Sequence, residues 1–312
     1  MSLTRSAAVE GRPPFSPTER RVRRRNGLTA LAFMAPAVMM VCAFLLYPVL
    51  DNLRISLTAW AKFSGAYRYV GLLNYRQAFA NPNFHDAMVN TLVWVVVSLT
   101  LPIALGMAFA VLLRRVAGQG TFKTVFFIPR LLAPTAIGTI WYYVYADDGI
   151  LNTLLRTVGL QALTRHWLYD ATAITPAMIV AHVWQTTGIV MVLLLLGLAA
   201  LPTDPLEAAT VEGASPWQTF RMIVVPMLLP TIVVVTIISV IAGFTTFDLV
   251  WVMGRDYPNR STLTLAVHQY WESFRSSRWA YGAAVAVILG VIALLITIVQ
   301  AWLQQRFEER AR

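Results

Sequence analysis

Six stretches of the chain, at about residues 28–50, 89–113, 124–145, 175–201, 226–254 and 280–303, are each long and apolar enough to cross a bilayer as a helix. In hydrocarbon a backbone has no water to bond, so each crossing segment must satisfy its own amides and carbonyls. The sequence therefore predicts an all-α fold, a polytopic membrane helix bundle with six transmembrane helices. Composition agrees. With 57% hydrophobic and 13% charged residues among 312, too little polar surface is left for a water-soluble globule.

The net charge of +10 would ordinarily raise nucleic acid as a partner, but seven of the 25 basic residues crowd the first 25 positions. There Arg20, Arg21, Arg23, Arg24 and Arg25 flank the first apolar stretch, which is the pattern of a topology signal, and no nucleic acid is implied. Residues 1–26, rich in Arg, Pro and Ser, read as a disordered basic cytoplasmic tail, and residues 27–312 as one six-span domain. The first stretch is longer than a cleavable signal core, and Leu46-Tyr47-Pro48-Val49-Leu50 offers no small-residue cleavage site, so it is expected to stay as a span. An even number of spans puts both termini on one side, and the positive-inside rule puts that side in the cytoplasm. Segments assigned inside then carry 14 Lys and Arg against ten outside, with the tail deciding the balance. The extracytoplasmic segments are about 51–88, 146–174 and 255–279.

Residues 202–225, between the fourth and fifth stretches, must lie outside the lipid, and their punctuation is specific. Asp204 can cap a helix that has Pro205 first and Glu207 third, and Gly213 can stop it in a left-handed conformation. Ser215, Pro216 and Gln218 repeat the cap, first-turn and third-position pattern, so a second helix should run toward Pro226. The expectation is helix, glycine elbow, helix, on the cytoplasmic side. Trp217 suits either an anchor at the membrane interface or a docking contact.

Chemistry that needs metal or thiol has no support. Cys42 is the one cysteine, His85, His166, His182 and His268 are scattered, and no HExxH occurs. Polar groups inside spans are costly and face a bundle interior or a wet cavity. Trp184, Gln185, Thr186 and Thr187 on the fourth span, and Phe244, Thr245, Thr246, Phe247 and Asp248 on the fifth, combine aromatic faces with hydrogen-bonding groups, the types a sugar site uses. They are the candidate solute path; interhelical hydrogen bonding is the competing reading. Arg130, early in the third span, is expected to snorkel to the cytoplasmic face or pair with a neighbour. Trp141 to Tyr145 read as interface anchors, while Gly106 with Ala110, and Gly282, Ala286 and Gly290, read as close-packing stripes.

The run Glu207-Ala208-Ala209 with Gly213, followed by Ile223 to Pro226, resembles the EAA loop of permease subunits of bacterial ATP-driven (ABC) importers that use extracytoplasmic binding proteins. Ser56-Leu57-Thr58, Val70-Gly71-Leu72-Leu73-Asn74-Tyr75, Asn90-Thr91, Phe127-Ile128-Pro129 and Gly149-Ile150-Leu151-Asn152 are similar to the carbohydrate branch containing maltose and glycerol-3-phosphate importers. The resemblance spans about residue 28 to the end. One departure is Gly254-Arg255-Asp256-Tyr257-Pro258, where that family often has a Gly-Gly-Pro turn.

The resemblance implies a type I ABC importer permease fold in the bacterial inner membrane. It also implies a second homologous permease, two cytoplasmic P-loop ATPase domains, an extracytoplasmic solute-binding protein, and a sugar or related polyol as cargo, with glycerol-3-phosphate or another solute as the alternative. Glu207, Ala208, Ala209, Glu212, Gly213 and Pro226 would couple to the ATPase. This chain has no GxxxxGK[ST] run, so ATP and Mg would sit on the partner; no cofactor and no catalytic residue is assigned here. Two other classes compete: an ion-coupled secondary transporter, disfavoured by the lack of a visible repeat, and a structural membrane anchor, disfavoured by Gln185 and Asp248.

Overall fold

Prolines and caps set most of the helix boundaries in the computed structural model, which describes residues 32–60, 67–114, 116–254 and 260–311. The arginine-rich tail and residues 255–258 of the divergent turn lie outside the described residues. Two compact units are separated between Asn52 and Leu53. The first contains most of α1, Ala32–Ser56, an apolar helix with a π turn at Cys42–Leu46.

The second unit opens with a two-residue ribbon in which Thr58 pairs with Tyr69 and Ala59 with Arg68. Helices α2 (Leu73–Ala80) and α3 (Pro82–Leu113) follow. Asn81 starts α3 by accepting a bond from the Asn83 amide, with Pro82 in the first turn where no amide is needed. Then come α4 (Gln119–Leu131), α5 (Pro134–Tyr145), α6 (Ile150–Thr157) and α7 (Ile174–Ala199). The interior of the unit is built around α7, which packs on α3, α4, α5 and the fifth span. Half of its most apolar window is buried, a larger share than in any other span.

The third crossing differs from the straight span expected at 124–145. Helix α4 and the segment Pro134–Thr157, which holds α5 and α6, meet at 99° across Leu132 and Ala133. Pro134 forces this: its ring excludes a continuous helix, and Ala133 before it takes the extended ψ of 142°. Among the described residues five helices are individually long and apolar enough to cross a membrane, and a sixth crossing is counted where the bent pair is taken as one span.

The fifth span, expected at 226–254, is α10 (Leu229–Phe244) and α11 (Asp248–Met253), broken at Thr245 to Phe247. Short helices α8 (Asp204–Val211) and α9 (Pro216–Thr219) precede it. After it come α12 (Leu265–Tyr270), with a π turn at Trp271–Arg275, and α13 (Trp279–Ala311). Of the small-residue stripes, Ala110 and Gly282 are buried as expected, but Gly290 is exposed and meets nothing.

Candidate functional site: the elbow and the interior path

The elbow is built by its own residues. Helix α8 ends in a Schellman arrangement: the Gly213 amide donates to the Thr210 carbonyl and the Ala214 amide to that of Ala209, with Gly213 left-handed at φ +78°. Two residues on, Ser215 and Gln218 form the expected capping box, the Ser215 hydroxyl accepting from the Gln218 amide at 3.3 Å and the Gln218 carbonyl from the Ser215 amide at 2.8 Å. The first cap is a correction. Thr203, not Asp204, is the capping position, and its side chain makes no cap bond. Asp204 instead occupies the first turn, where it and Glu207 face the positive end of the helix dipole.

Glu207, Ala208, Glu212, Gly213 and Pro226 are exposed, whereas Ala209 is buried. The Glu207 carboxylate makes no hydrogen bond among the described residues, so self-capping does not occupy it. Val211, Trp217 and Met222 stand 88%, 67% and 71% exposed, an apolar surface on an otherwise polar element. Behind it, Leu206, Phe220, Val224 and Leu228 pack with Leu194 and Leu198 at the end of α7. Beyond α9 the chain passes through a π turn at Phe220–Val224 into Val225–Met227. Bonds from the Leu228 amide to Val224 and from Ile232 to Leu228 carry the helical path into α10. The second arm is thus mechanically continuous with the fifth span.

The two candidate path clusters occupy different surroundings. Trp184 and Thr187 line a cleft of about 480 Å³ between α3, α4 and α7, together with Phe109, Phe126, Pro129 and Gly188; its lining includes none of the fifth-span residues. Gln185 is buried, and its Nε2 donates at 3.3 Å to the Leu132 carbonyl, left free where Pro134 breaks the helix. Thr186 and Thr187 return their hydroxyls to their own helix, at the carbonyls of His182 and Val183.

In the fifth span Phe244 is buried against Val95 and Val240. Thr245 and Asp248 are exposed. Phe247 stacks on Trp251 at 5.7 Å and meets Tyr270 edge-on at 5.2 Å. The break is held from a distance, since the Thr264 hydroxyl donates to the Thr246 carbonyl at 3.3 Å.

Arg130 departs from its expected setting. It forms no ion pair or hydrogen bond among the described residues and is exposed. Its neighbours fix its level: a Cβ at Gly188 would collide with the Phe126 carbonyl, and Gln185 bonds Leu132. Arg130, between them in sequence, lies level with the middle of the 26-residue α7. At the centre of a span an arginine costs about 2.5–3.5 kcal/mol on insertion scales.

Sequence reading did not find the pair between Ser98 Oγ and His182 Nε2, 2.8 Å apart and buried, with Trp94 edge-on to the imidazole at 5.3 Å. Nor did it find the packing of α12 on α13. There burial and the nearby Arg278 push His268 down to about 4, its Nε2 lies 3.2 Å from the Tyr281 hydroxyl, and Glu272, raised by burial, pairs with Arg278 at 3.1 Å. Ser98 and His182 are 84 positions apart, too far for spacing to reveal.

The short motifs that carried the resemblance turn out to bond the outer segments together. Asn74 donates to the carbonyls of Ser56 and Thr58 at 2.8 and 2.9 Å, and the Tyr75 hydroxyl lies 2.7 Å from Ser56 Oγ. Asn90 donates to the carbonyls of Arg260 and Leu263, while Thr91 accepts from the Leu265 amide. Asn152 accepts from the Trp167 indole and the Arg165 amide and donates to the carbonyls of Asp147 and Arg165.

Comparison with known proteins fits this architecture. A family model described as the inner membrane component of binding-protein-dependent transport systems matches residues 86–309. The chain belongs to that family. A probable ABC transporter permease protein of Pyrococcus horikoshii is 32% identical over 282 residues, covering 90% of this chain and 97% of its own length. The multiple sugar-binding transport system permease protein of Streptococcus mutans is 29% identical over 277 residues, covering 88% and 95%. Among solved structures, a bacterial ABC transporter involved in import of the acidic polysaccharide alginate superposes with a TM-score of 0.80 at 18% identity, covering 93% of this chain and 99% of that one. That likeness shows the fold: a type I importer permease. The chain is a multi-pass membrane permease, a transport component and not an enzyme.

Proposed function

We propose that this permease carries a sugar or related polyol across a bacterial inner membrane, with both termini and the elbow in the cytoplasm. It acts beside a second, homologous permease, two P-loop ATPase domains that hold ATP and Mg, and an extracytoplasmic solute-binding protein. The observation that carries the reading is the elbow. An exposed apolar surface at Val211, Trp217 and Met222, with a free Glu207 carboxylate beside it, lies across the elbow, and the elbow's second arm continues as one helical path into the fifth span. A rigid push on α8 is therefore delivered to a transmembrane helix without crossing a loose loop. The cargo class is supported by the sugar-transport relative and by the aromatic side chain of Trp184 at the cleft, with the buried amide of Gln185 next to it in sequence.

The test is binding-protein-stimulated ATP hydrolysis and sugar uptake by the reconstituted complex, comparing wild type with Glu207→Ala and Val211→Asp. Both variants should assemble in the membrane, and stimulated hydrolysis and uptake should fall about tenfold or more as the apolar contact is lost. Unchanged uptake in both, or a complex that purifies with no P-loop ATPase, would overturn the coupling role.

A further inference from the structure

We propose that Arg130 is the anion-recognising residue of the solute path, so that the preferred cargo is a sugar bearing a carboxylate or phosphate. This rests on the proposed sugar-permease function and adds a charge class to it. Arg130 lies level with the middle of α7, bracketed by Phe126 against Gly188 and by Leu132 bonded to Gln185. It is exposed and pairs with no carboxylate among the described residues. A guanidinium at that depth stays charged and keeps the company of water, a counter-charge or a ligand, because lipid tails supply none of these.

The surroundings supply the rest of a saccharide subsite. Pro129, the residue before Arg130, lines the 480 Å³ cleft together with the half-exposed indole Trp184 and with Thr187. Gln185, one residue from Trp184, donates an amide N–H to Leu132, and its Oε1 accepts no hydrogen bond among the described residues, which leaves it an acceptor for a hydroxyl. At this depth the two facing helices carry an aromatic ring that lines the cleft and, one residue on from lining positions, an amide and a planar two-pronged cation able to take an oxyanion. His182, on the same helix as Gln185, is bonded to Ser98 and brings no opposite charge.

Cys42 is the one cysteine of the chain, which makes the test direct. The reconstituted complex would be prepared with Cys42→Ser alone, with Cys42→Ser plus Arg130→Cys, and with Arg130→Gln. Uptake of a glucuronate-containing disaccharide, a disaccharide phosphate and the matched neutral disaccharide would be measured in each. Removing the guanidinium should lower uptake of the charged sugar by roughly tenfold to hundredfold, the worth of a charge-assisted bond, and spare the neutral one. Whichever of the two charged sugars responds identifies the oxyanion. Attaching a cationic aminoethyl group to the cysteine by a methanethiosulfonate should restore that uptake, while a neutral methyl group should not.

Equal loss or no loss for charged and neutral sugars would overturn the proposal, as would a thiol at position 130 that stays unreactive in an assembled, ATP-hydrolysing complex, because Arg130 would then face lipid or the second permease. Should wild type import no sugar of any kind, the cargo class falls separately. Labelling then decides Arg130 alone: slowing by glucuronate but not by glucose supports the site, and equal rates sink it.

Discussion

The elbow and the bent third span both turn a helix sharply, yet they are made in opposite ways. At the elbow every bond that shapes the turn lies within six positions: Thr210 to Gly213, Ala209 to Ala214, Ser215 to Gln218. At the bend Pro134 supplies the break locally, but the freed Leu132 carbonyl is satisfied by Gln185, which is 53 positions away. A locally written turn keeps its shape while its surroundings move, as an element that docks on a moving partner requires. A turn closed by a distant helix has its geometry only while α4 and α7 stay packed, so it responds to any movement between them.

This contrast is broken most severely at Gly188. A side chain there would drive into the Phe126 backbone, and Gly188→Leu should cost about 3 kcal/mol or more by separating α4 from α7 and pulling Gln185 from Leu132. The expected outcome is a sharp fall in folded protein extracted from membranes and in its melting temperature in detergent. A variant as stable as wild type would mean that the bend stands without α7.

A smaller loss is expected in the 146–173 segment, where a distant bond network again fixes a turn. Asn152, 2% exposed, ties Asp147, Arg165 and Trp167 together, and Gly149 sits where a Cβ would strike the carbonyls of Tyr143, Val144 and Ala146. Asn152→Ala leaves the Trp167 indole and the Arg165 amide without their acceptor. It should cost roughly 2 kcal/mol, and proteolysis of the 146–173 segment should accelerate while α7 and α10 stay protected.

How far the sequence foretold these regions follows the same division. The six apolar stretches predicted the spans because hydrophobic length needs no partner to be read, and Ser215, Gln218 and Gly213 predicted the elbow because capping is a matter of neighbours in sequence. Asp204 was misread for a reason of the same kind: Thr203 already has helical backbone at φ −80° and ψ −32°, so the helix begins one residue sooner and Asp204 lies inside it. Pro134 was visible, but a proline within an apolar stretch permits either a kinked or a broken helix, and only the packing of Gln185 decides. Phe244 looked like a path residue by its neighbours Thr245 and Asp248, yet it points into the core beside Val95. Direction around a helix depends on which neighbours surround it, and a single sequence does not state them.

The mildest substitution sharpens the comparison further. Ser215→Ala removes the hydroxyl that accepts the Gln218 amide but leaves Pro216, Gly213 and the Schellman bonds of α8 in place. Loss of such a cap costs about 1 kcal/mol, confined here to the first turn of an exposed arm whose far end is held by Phe220 and Val224 in the core. The melting temperature of the whole chain should barely move, because the arm contributes little to global unfolding. Hydrogen exchange at Trp217 and Gln218 should instead rise about fivefold to tenfold, the change that 1 kcal/mol produces in a local opening equilibrium. If exchange rises equally at Leu228 and Ile232, the elbow and the fifth span open as one unit, and the helical path between them is as stiff as its bonds imply. If it rises only at the cap, Phe220 to Val224 act as a joint, and the π turn there is where a push on the elbow becomes a rotation of α10.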